Sequence, residues 1–509
     1  MSKKYLYGAS VQGIQDFIFK TNKLAEIVGA SELVEQICTA KFSEISGIQL
    51  DGDKDLILSA AGNIKCVFSE ANSASLKLLY RNFPFEVQKM APGVTLSQAI
   101  IEYEEGQEVP IQKLEDALKS KRNKISKPLE IGFMGLERDR RTGEIAFAVR
   151  TKQNTKLEVI SESTSLKRKA VQDSKDSKDE TSKESLFKKI SGLDFKNREI
   201  AFDIEEITNS GKNSWIAVIH ADGNGLGQIL QNRGEEINGN NEFNTFSKHI
   251  EAATINAVRS AFDQIVNKDK NSWEKGKNFK YPIRPVVLGG DDLTVIIRAD
   301  LALDFTTIFL TEFEIQSKNL FKGLETKELE GLTACAGIAF VKESYPLHYA
   351  LNLAEELCKD AKKKVKEGLS PNEMPESSLA FYKVQDSFVE DLTELKERTL
   401  ISEGWNFYAG PYLLDEVGEL KKNLQIIAKE ADEKDSKTKA VGKLRQIVSE
   451  SYKDASTTKF MLNRMKEINK DFYNKLNLDK DLEALKVKGK SQLLDLITLH
   501  GFNYGNKEN

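Results

Sequence analysis

The sequence predicts an α+β protein with two ferredoxin-like domains followed by an all-helical C-terminal domain. Two observations lead to this prediction. A strand–helix–hairpin–helix–strand order occurs twice along the chain, and apolar residues in 386–509 recur only at helical spacing. The composition agrees, because 40% hydrophobic and 30% charged residues in 509 positions can build several folded cores.

The first domain is predicted over residues 1–105. Its predicted strands and helix are 5–9, 55–60, 64–68 and 74–83, in the order of a ferredoxin-like or palm unit. The hairpin tip between its second and third elements reads SAAGN and holds no carboxylate. We therefore expect a palm-like domain that cannot hold a divalent cation.

Residues 106–195 are predicted to form an irregular region between the two domains. Within it, 161–185 is dominated by Lys, Ser, Asp and Glu and contains no aromatic residue. Such a composition buries little apolar surface, so we predict a flexible, charged linker there.

The second domain is predicted over residues 196–385 and repeats the same order on a larger scale. Its predicted strands are 215–221, 285–288, 293–298 and 333–341, and its helices include 242–266, 306–319 and 346–366. The loops 222–227 (DGNGLG) and 289–292 (GGDD) connect these elements. Residues 386–509 then form the helical domain, with a 3/4-spaced apolar stripe that begins at Leu413.

Charge and cysteine usage exclude several classes of protein. Lys+Arg (74) and Asp+Glu (78) nearly cancel, so a basic nucleic-acid coat is excluded. The four cysteines form no CxxC pair, which argues against a disulfide framework and a zinc module. With no long apolar run and no signal peptide, the chain is expected to be cytoplasmic and to have no membrane partner.

The strongest chemical signal is a set of three acids, Asp222, Asp291 and Asp292. Asp222 follows an apolar strand, and Asp291 and Asp292 stand at a hairpin tip whose glycines, Gly289 and Gly290, permit a tight turn. In a palm-type sheet these strands are neighbours, so the three carboxylates should converge. Crowded carboxylates repel one another unless a cation neutralises them, and Mg²⁺ or Mn²⁺ suits such oxygen ligands. The acids are therefore predicted metal ligands and catalytic residues.

A glycine-rich loop and a lysine run could add phosphate contacts. Gly223, Asn224, Gly225 and Gly227 lie between a strand end and a helix start, where backbone N–H groups can approach phosphates. No GK[ST] follows, so the loop is not a Walker A motif. The lysines between 359 and 366 lie on one predicted helix, and we assign Lys363 and Lys364 to the phosphates, with a solvated helix face as the alternative.

The ordered set of motifs resembles the large, polymerase-like subunit of type III CRISPR effector complexes. The resemblance is carried by GASVQGIQDFIF and KLAEIVGASELVEQI in the first domain and by HADGNGLG, GGDD and AGPYLLDEV in and after the second. It implies nucleotidyl cyclase-like palms, with ATP as the substrate and cyclic oligoadenylates as products. It also implies guide RNA, target RNA and other effector subunits as partners.

Two features depart from that family. Larger members begin with a histidine-aspartate nuclease domain and carry a cysteine zinc module. Here the palm begins near residue 1, no His-Asp pair occurs, and 106–195 contains no cysteine. We therefore expect a compact form without that nuclease domain.

Two other functions remain open at this stage. The chain could be a scaffold subunit with an inert palm, as the helical C-terminal region would allow. It could also be a diguanylate cyclase, although Leu-Thr follows Asp292 where such enzymes have an acid and Phe.

Overall fold

A computed structural model of the chain provides the structure. It describes residues 2–49, 55–60, 62–107, 109–123, 133–151, 157–175, 185–193, 199–208, 214–225, 240–267, 280–321, 331–370, 373–385, 391–432 and 440–502.

The N-terminal part of the chain contains a four-stranded antiparallel sheet. Its strands are β1 (Lys3–Gln12), β2 (Leu56–Ala60), β3 (Asn63–Ser69) and β4 (Thr95–Glu104), in the order β2-β3-β1-β4. Its helices are α1 (Ile14–Phe19), α2 (Leu24–Gln36), α3 (Phe42–Ser46), α4 (Ser73–Met90) and α5 (Ile111–Arg122). Leu6, Val67 and Leu114 belong to one buried cluster, which shows that α5 packs on this sheet.

The prediction of a flexible linker over 161–185 is wrong for residues 162–175, which form helix α6 (Glu162–Lys175). Before this helix, strands β5 (Ala146–Thr151) and β6 (Leu157–Ser161) pair with each other, and helix α7 (Ser185–Ser191) begins at the last residue of the segment. The rest of that segment, 176–184, lies outside the described residues.

Helix α6 is ordered because its polar side chains find partners. Lys167 is buried, donates to the carbonyl oxygen of Phe17 and lies 4.1 Å from the centre of the Phe17 ring. Arg168 forms two parallel hydrogen bonds to Glu158 at 2.9 and 3.0 Å. Composition alone misses such a helix, because it counts charges without the groups that neutralise them.

A second sheet has six strands: β7 (Trp215–Gly223), β8 (Ile283–Gly289), β9 (Asp292–Arg298), β10 (Ala334–Lys342), β11 (Ser378–Lys383) and β12 (Tyr412–Leu413). Their order across the sheet is β12-β11-β10-β7-β9-β8. The run β10-β7-β9-β8 repeats the order β4-β1-β3-β2 of the first sheet, as the sequence predicts. Strand β11 extends the sheet by pairing in parallel with β10.

Helices connect and cover these strands. They are α8 (Ile204–Ile207), α9 (Asn240–Ala261), α10 (Ala299–Phe321) and α11 (Leu347–Lys366). Helix α11 packs very closely on β10, because a Cβ atom added to Gly337 would lie 1.9 Å from the carbonyl oxygen of Ala354. A side chain at Gly337 would therefore push the helix away from the sheet.

The described residues of the C-terminal region, 391–432 and 440–502, are mostly helical and include the short strand β12 and isolated bridges. The helices are α12 (Leu392–Thr399), α13 (Leu414–Asp432), α14 (Ala440–Ser451), α15 (Ala455–Ile468), α16 (Lys470–Lys475), α17 (Asp479–Lys486) and α18 (Leu493–His500). The predicted stripe along α13 is confirmed, since Val417, Leu420, Leu424 and Ile427 are all buried.

The chain divides into two compact units. One comprises Met1–Asn209, Gly225–Val295 and Glu312–Leu332, and the other comprises Ser210–Asn224, Ile296–Thr311 and Thr333–Asn509. In the described part of the chain, no helix combines the length and the apolar character that crossing a membrane requires.

Candidate active site: the carboxylate cluster

Three carboxylates converge where neighbouring strands of the second sheet end. Asp222 is the penultimate residue of β7, Asp291 lies in the hairpin turn, and Asp292 is the first residue of β9. One carboxylate oxygen from each residue lies within 4.8 Å of the other two. All three side chains are partly exposed, so a ligand can reach them. The sequence order thus translates into one acidic cluster, which we call the carboxylate cluster.

The hairpin turn that carries Asp291 is tight. Strand β8 ends at the buried Gly289 and β9 begins at Asp292, which leaves a turn of Gly290 and Asp291. Gly290 has a φ of +61°, a conformation that a residue with a side chain rarely adopts. Its carbonyl oxygen accepts a hydrogen bond of 2.7 Å from the hydroxyl of Thr254 in α9. The turn is therefore held both by its backbone geometry and by a side chain from a neighbouring helix.

A lysine that we did not select from the sequence contacts the cluster. The ammonium of Lys362 forms an ion pair with the Asp222 carboxylate and donates to the carbonyl oxygen of Gly223 at 2.7 Å. Lys362 follows the buried Cys358 by four residues, so it leaves α11 at the border of its packed face. This four-residue spacing is the sequence signal that could have identified Lys362, and it distinguishes Lys362 from the more exposed lysines of the same helix.

The two lysines selected from the sequence are placed differently. Lys363 is exposed on α11. Lys364 donates to the carbonyl oxygen of Pro411 at 2.5 Å and lies 3.4 Å from a carboxylate oxygen of Glu416. The structure thus engages Lys364 with the segment that leads into α13, and its role at phosphates stays a prediction, as does that of Lys363.

The glycine-rich loop begins with a buried anchor. Asn224 is fully buried, its backbone N–H donates to the carbonyl oxygen of Thr333, and its side-chain amide donates to the Thr333 hydroxyl at 3.0 Å. Gly225 has a φ of +73°, which turns the chain away from β7. Asn224 therefore fixes the end of the strand that carries Asp222. Gly227 lies outside the described residues.

A histidine in the same strand is neutral. Burial lowers the pKa of His220 to about 4, although the nearby Asp222 carboxylate opposes this shift. His220 lies opposite Gly337 of β10 in the strand register. It thus adds no positive charge near the cluster at neutral pH.

The donor set fits a hard divalent cation. Three carboxylates within reach of one another supply the oxygen ligands that Mg²⁺ and Mn²⁺ favour, and Lys362 offsets one of the negative charges. Because the side chains are partly exposed, a bound cation could keep water or phosphate oxygens as further ligands. The arrangement is thus suited to chemistry at a phosphate group.

Comparisons with known proteins agree with this fold. Residues 215–370 match the family model described as Cas10/Cmr2, second palm domain. A structure described as Csm1 in T. onnurineus aligns with a TM-score of 0.54 and 14% identity, over 99% of this chain and 70% of that chain. A Csm1–Csm4 cassette in complex with cA4 gives the same TM-score, the same identity and the same coverage of both chains.

A third structure, a Csm1–Csm4 cassette in complex with one ATP, gives a TM-score of 0.52 and 13% identity over 99% of this chain and 70% of that chain. No curated protein matches the chain. At such identities the structural likeness shows a shared fold, and the family model relates residues 215–370 to a second palm domain. Residues 215–370 are therefore similar to the second palm domain of Cas10/Cmr2 proteins, and the chain shares its fold with the Csm1 structures.

Proposed function

We propose that this chain is a divalent-cation-dependent nucleotidyltransferase that converts ATP into cyclic oligoadenylates as part of a type III CRISPR defence system. The observation that carries the proposal is the convergence of Asp222, Asp291 and Asp292 within 4.8 Å, inside the region that matches a second palm domain. Related structures that hold ATP and cA4 support the choice of nucleotide and product class.

The proposed reaction joins two nucleotides. The 3′- or 2′-hydroxyl oxygen of one nucleotide bonds to the α-phosphorus of an ATP, the bond from that phosphorus to pyrophosphate breaks, and the hydroxyl proton passes to water. Mg²⁺ or Mn²⁺ held by the three aspartates would lower the pKa of the attacking hydroxyl and offset charge on the phosphates. Repetition followed by ring closure gives a cyclic product.

The residues around the cluster have separate tasks in this proposal. Lys362 orients the Asp222 carboxylate through its ion pair and places a positive charge beside the phosphates. Thr254 fixes the turn that presents Asp291, and Asn224 fixes the end of β7. Such preorganised groups avoid the reorganisation that water would need at the moment of reaction.

The experiment is product analysis by mass spectrometry. The purified protein is incubated with an equimolar mixture of ATP and GTP, Mg²⁺ and candidate RNA activators, and compared with an Asp291→Asn/Asp292→Asn variant. We expect oligoadenylates from the native protein and none from the variant. Equal product from both proteins would contradict the proposal, and guanosine-containing products would overturn the choice of ATP.

We also infer that the chain assembles with a second protein subunit. The support is that two of the similar structures are Csm1–Csm4 cassettes, in which the related chain is bound to a partner. Guide RNA and target RNA would then join through the assembled complex. Co-purification from the native host, followed by sequencing of bound RNA, tests this inference, and a chain that purifies alone and free of RNA would contradict it.

A further inference from the structure

A cavity of about 410 Å³ lies in the C-terminal part of the chain, between β11, the segment that leads to β12, and helices α14 and α18. We call it the C-terminal cavity. All of its lining residues lie between Phe381 and Thr498, so it shares none with the carboxylate cluster. A volume of this order suits a small organic molecule.

Aromatic rings dominate the wall of the cavity. Phe381 and Tyr412 are stacked, with ring centres 5.7 Å apart and planes at 11°, and Phe407 and Tyr452 are 5.5 Å apart. Tyr382 and Tyr408 add a fifth and a sixth ring, and both are more exposed than Phe381, Phe407 and Tyr412. Flat rings of this kind favour a flat heterocycle, because stacking on an aromatic side chain is available to any nucleobase.

Polar groups that can read the edge of a heterocycle also line the cavity. Asp495 is partly buried and accepts a hydrogen bond of 2.5 Å from the Tyr412 hydroxyl. Burial raises the pKa of Asp495 to about 7, so its carboxyl can both donate and accept hydrogen bonds near neutral pH. Thr498 and Ser449 add hydroxyl groups.

A cation lies at the wall formed by β11. Lys383 lines the cavity, and its ammonium lies 4.6 Å from the ring centre of Trp215 and 5.0 Å from that of Phe502. Burial lowers the pKa of Lys383, and the nearby charges of Lys342 and Arg445 lower it further. Three cations that destabilise one another form a local positive field, which an anionic group would neutralise.

We propose that the C-terminal cavity binds a purine nucleotide, with the base against the aromatic wall and near Asp495 and the phosphate toward Lys383. The three features together select this class of ligand. A sugar phosphate would leave the aromatic wall unused, and an uncharged heterocycle would leave the positive charge of Lys383 unused. The site is a second nucleotide site, separate from the proposed catalytic one.

The test is isothermal titration calorimetry with AMP in the presence of EDTA. The protein carries Asp291→Asn/Asp292→Asn, so binding that depends on the carboxylate cluster is removed and the result is independent of the proposed catalytic function. We expect one saturable AMP site per chain and much weaker binding of ribose 5-phosphate, because the base supplies the stacking. No saturable AMP binding, or equal affinity for ribose 5-phosphate, would overturn the proposal.

Two variants assign the binding to the cavity. Ser449 is exposed at the cavity wall on α14, so Ser449→Trp should block the cavity and lower AMP affinity by about tenfold or more. The matched control is Lys443→Trp, which adds the same ring to an exposed position of the same helix outside the lining. Equal affinity in these two variants would overturn the proposal.

Lys383→Gln provides a test that does not depend on how the tryptophan variant folds. We expect it to lower AMP affinity by about tenfold while leaving adenosine affinity within about twofold, since the lost contact is to the phosphate. Equal losses for both ligands, or no loss for either, would contradict the placement of the phosphate.

Discussion

The two sheets of this chain share one strand order but differ at the corresponding edge. In the first sheet, the hydroxyl of Ser10 donates to the Asn63 side chain at 2.8 Å and accepts from Gln12 at 2.9 Å. These neutral groups satisfy one another. In the second sheet the same edge presents Asp222, Asp291 and Asp292, with Lys362 against the first of them.

The difference teaches that the fold provides the position and the residues provide the chemistry. A self-satisfied neutral cluster has no need of a cation, whereas three adjacent carboxylates gain from one. The second sheet is also extended by β11 and β12, whereas the first has four strands. We therefore assign the proposed catalysis to the second sheet and a packing role to the edge of the first.

The largest expected effect comes from making the second edge resemble the first. Asp222→Ser replaces a ligand carboxylate with the residue type at position 10 and should reduce ATP turnover by about 100- to 1,000-fold. Ser10→Ala is the matched change in the first sheet and should leave turnover within about twofold. Initial rates of pyrophosphate release measure both, and similar losses from the two variants would break the comparison.

A smaller loss is expected from Lys362→Met, which removes the cation beside Asp222 and keeps the length of the side chain. The loss of one charge-assisted contact should reduce kcat/KM for ATP by about tenfold. The control is Lys366→Met, an exposed lysine in the last turn of the same helix. If both variants turn over ATP at the native rate, Lys362 has no part in the reaction.

The packing of helices on the two sheets also differs, and glycine substitutions measure it. Gly337→Ala would force a Cβ against the backbone of α11 and should lower the free energy of unfolding by about 3 kcal/mol. Gly8→Ala in β1 would meet the flexible end of the Leu114 side chain at 2.7 Å and should cost about 1 kcal/mol or less. Urea denaturation gives both values, and a larger loss of stability from Gly8→Ala than from Gly337→Ala would contradict the tighter packing at Gly337.

The smallest effect concerns pH. Hydrogen bonds from Arg168 lower the pKa of Glu158 from 4.5 to about 2, against the opposing effect of burial. A depressed folded-state pKa contributes stability above the ordinary pKa, and this contribution is lost as the pH falls from about 4.5 to about 2. Hydrogen exchange of the α6 amides should therefore be faster in Glu158→Gln than in the native protein at pH 7.

The difference in α6 amide exchange rate between the native protein and the Glu158→Gln variant should decrease as the pH falls. At pH 3 the native Glu158 loses part of its advantage, so the two exchange rates should approach each other after correction for intrinsic exchange. A difference that stays constant from pH 7 to pH 3 would show that the Arg168–Glu158 pair does not set the local stability of α6.

Much of the site could be predicted from local patterns. The GGDD hairpin was predictable because apolar strands flank a turn that needs a glycine at positive φ, which Gly290 provides. The convergence of Asp222 with Asp291 and Asp292 followed from the repeated strand order.

Features that depend on distant partners were not predictable in the same way. Strand β11 forms by parallel pairing with β10 across an intervening helix, and β12 has two residues. Helix α6 depends on Glu158 and on the backbone near Phe17, which composition does not reveal. Lys362 differs from its neighbours only by its angle around α11, which becomes meaningful once the packed face is known.

The central claim is that the carboxylate cluster holds a divalent cation, and titration with Mn²⁺ followed by electron paramagnetic resonance tests it without relying on activity. The account predicts saturable Mn²⁺ binding by the native protein that Mg²⁺ displaces and that Asp291→Asn/Asp292→Asn abolishes, while Ser10→Ala leaves it unchanged. Mn²⁺ binding of equal affinity and stoichiometry in the Asp291→Asn/Asp292→Asn variant would contradict it.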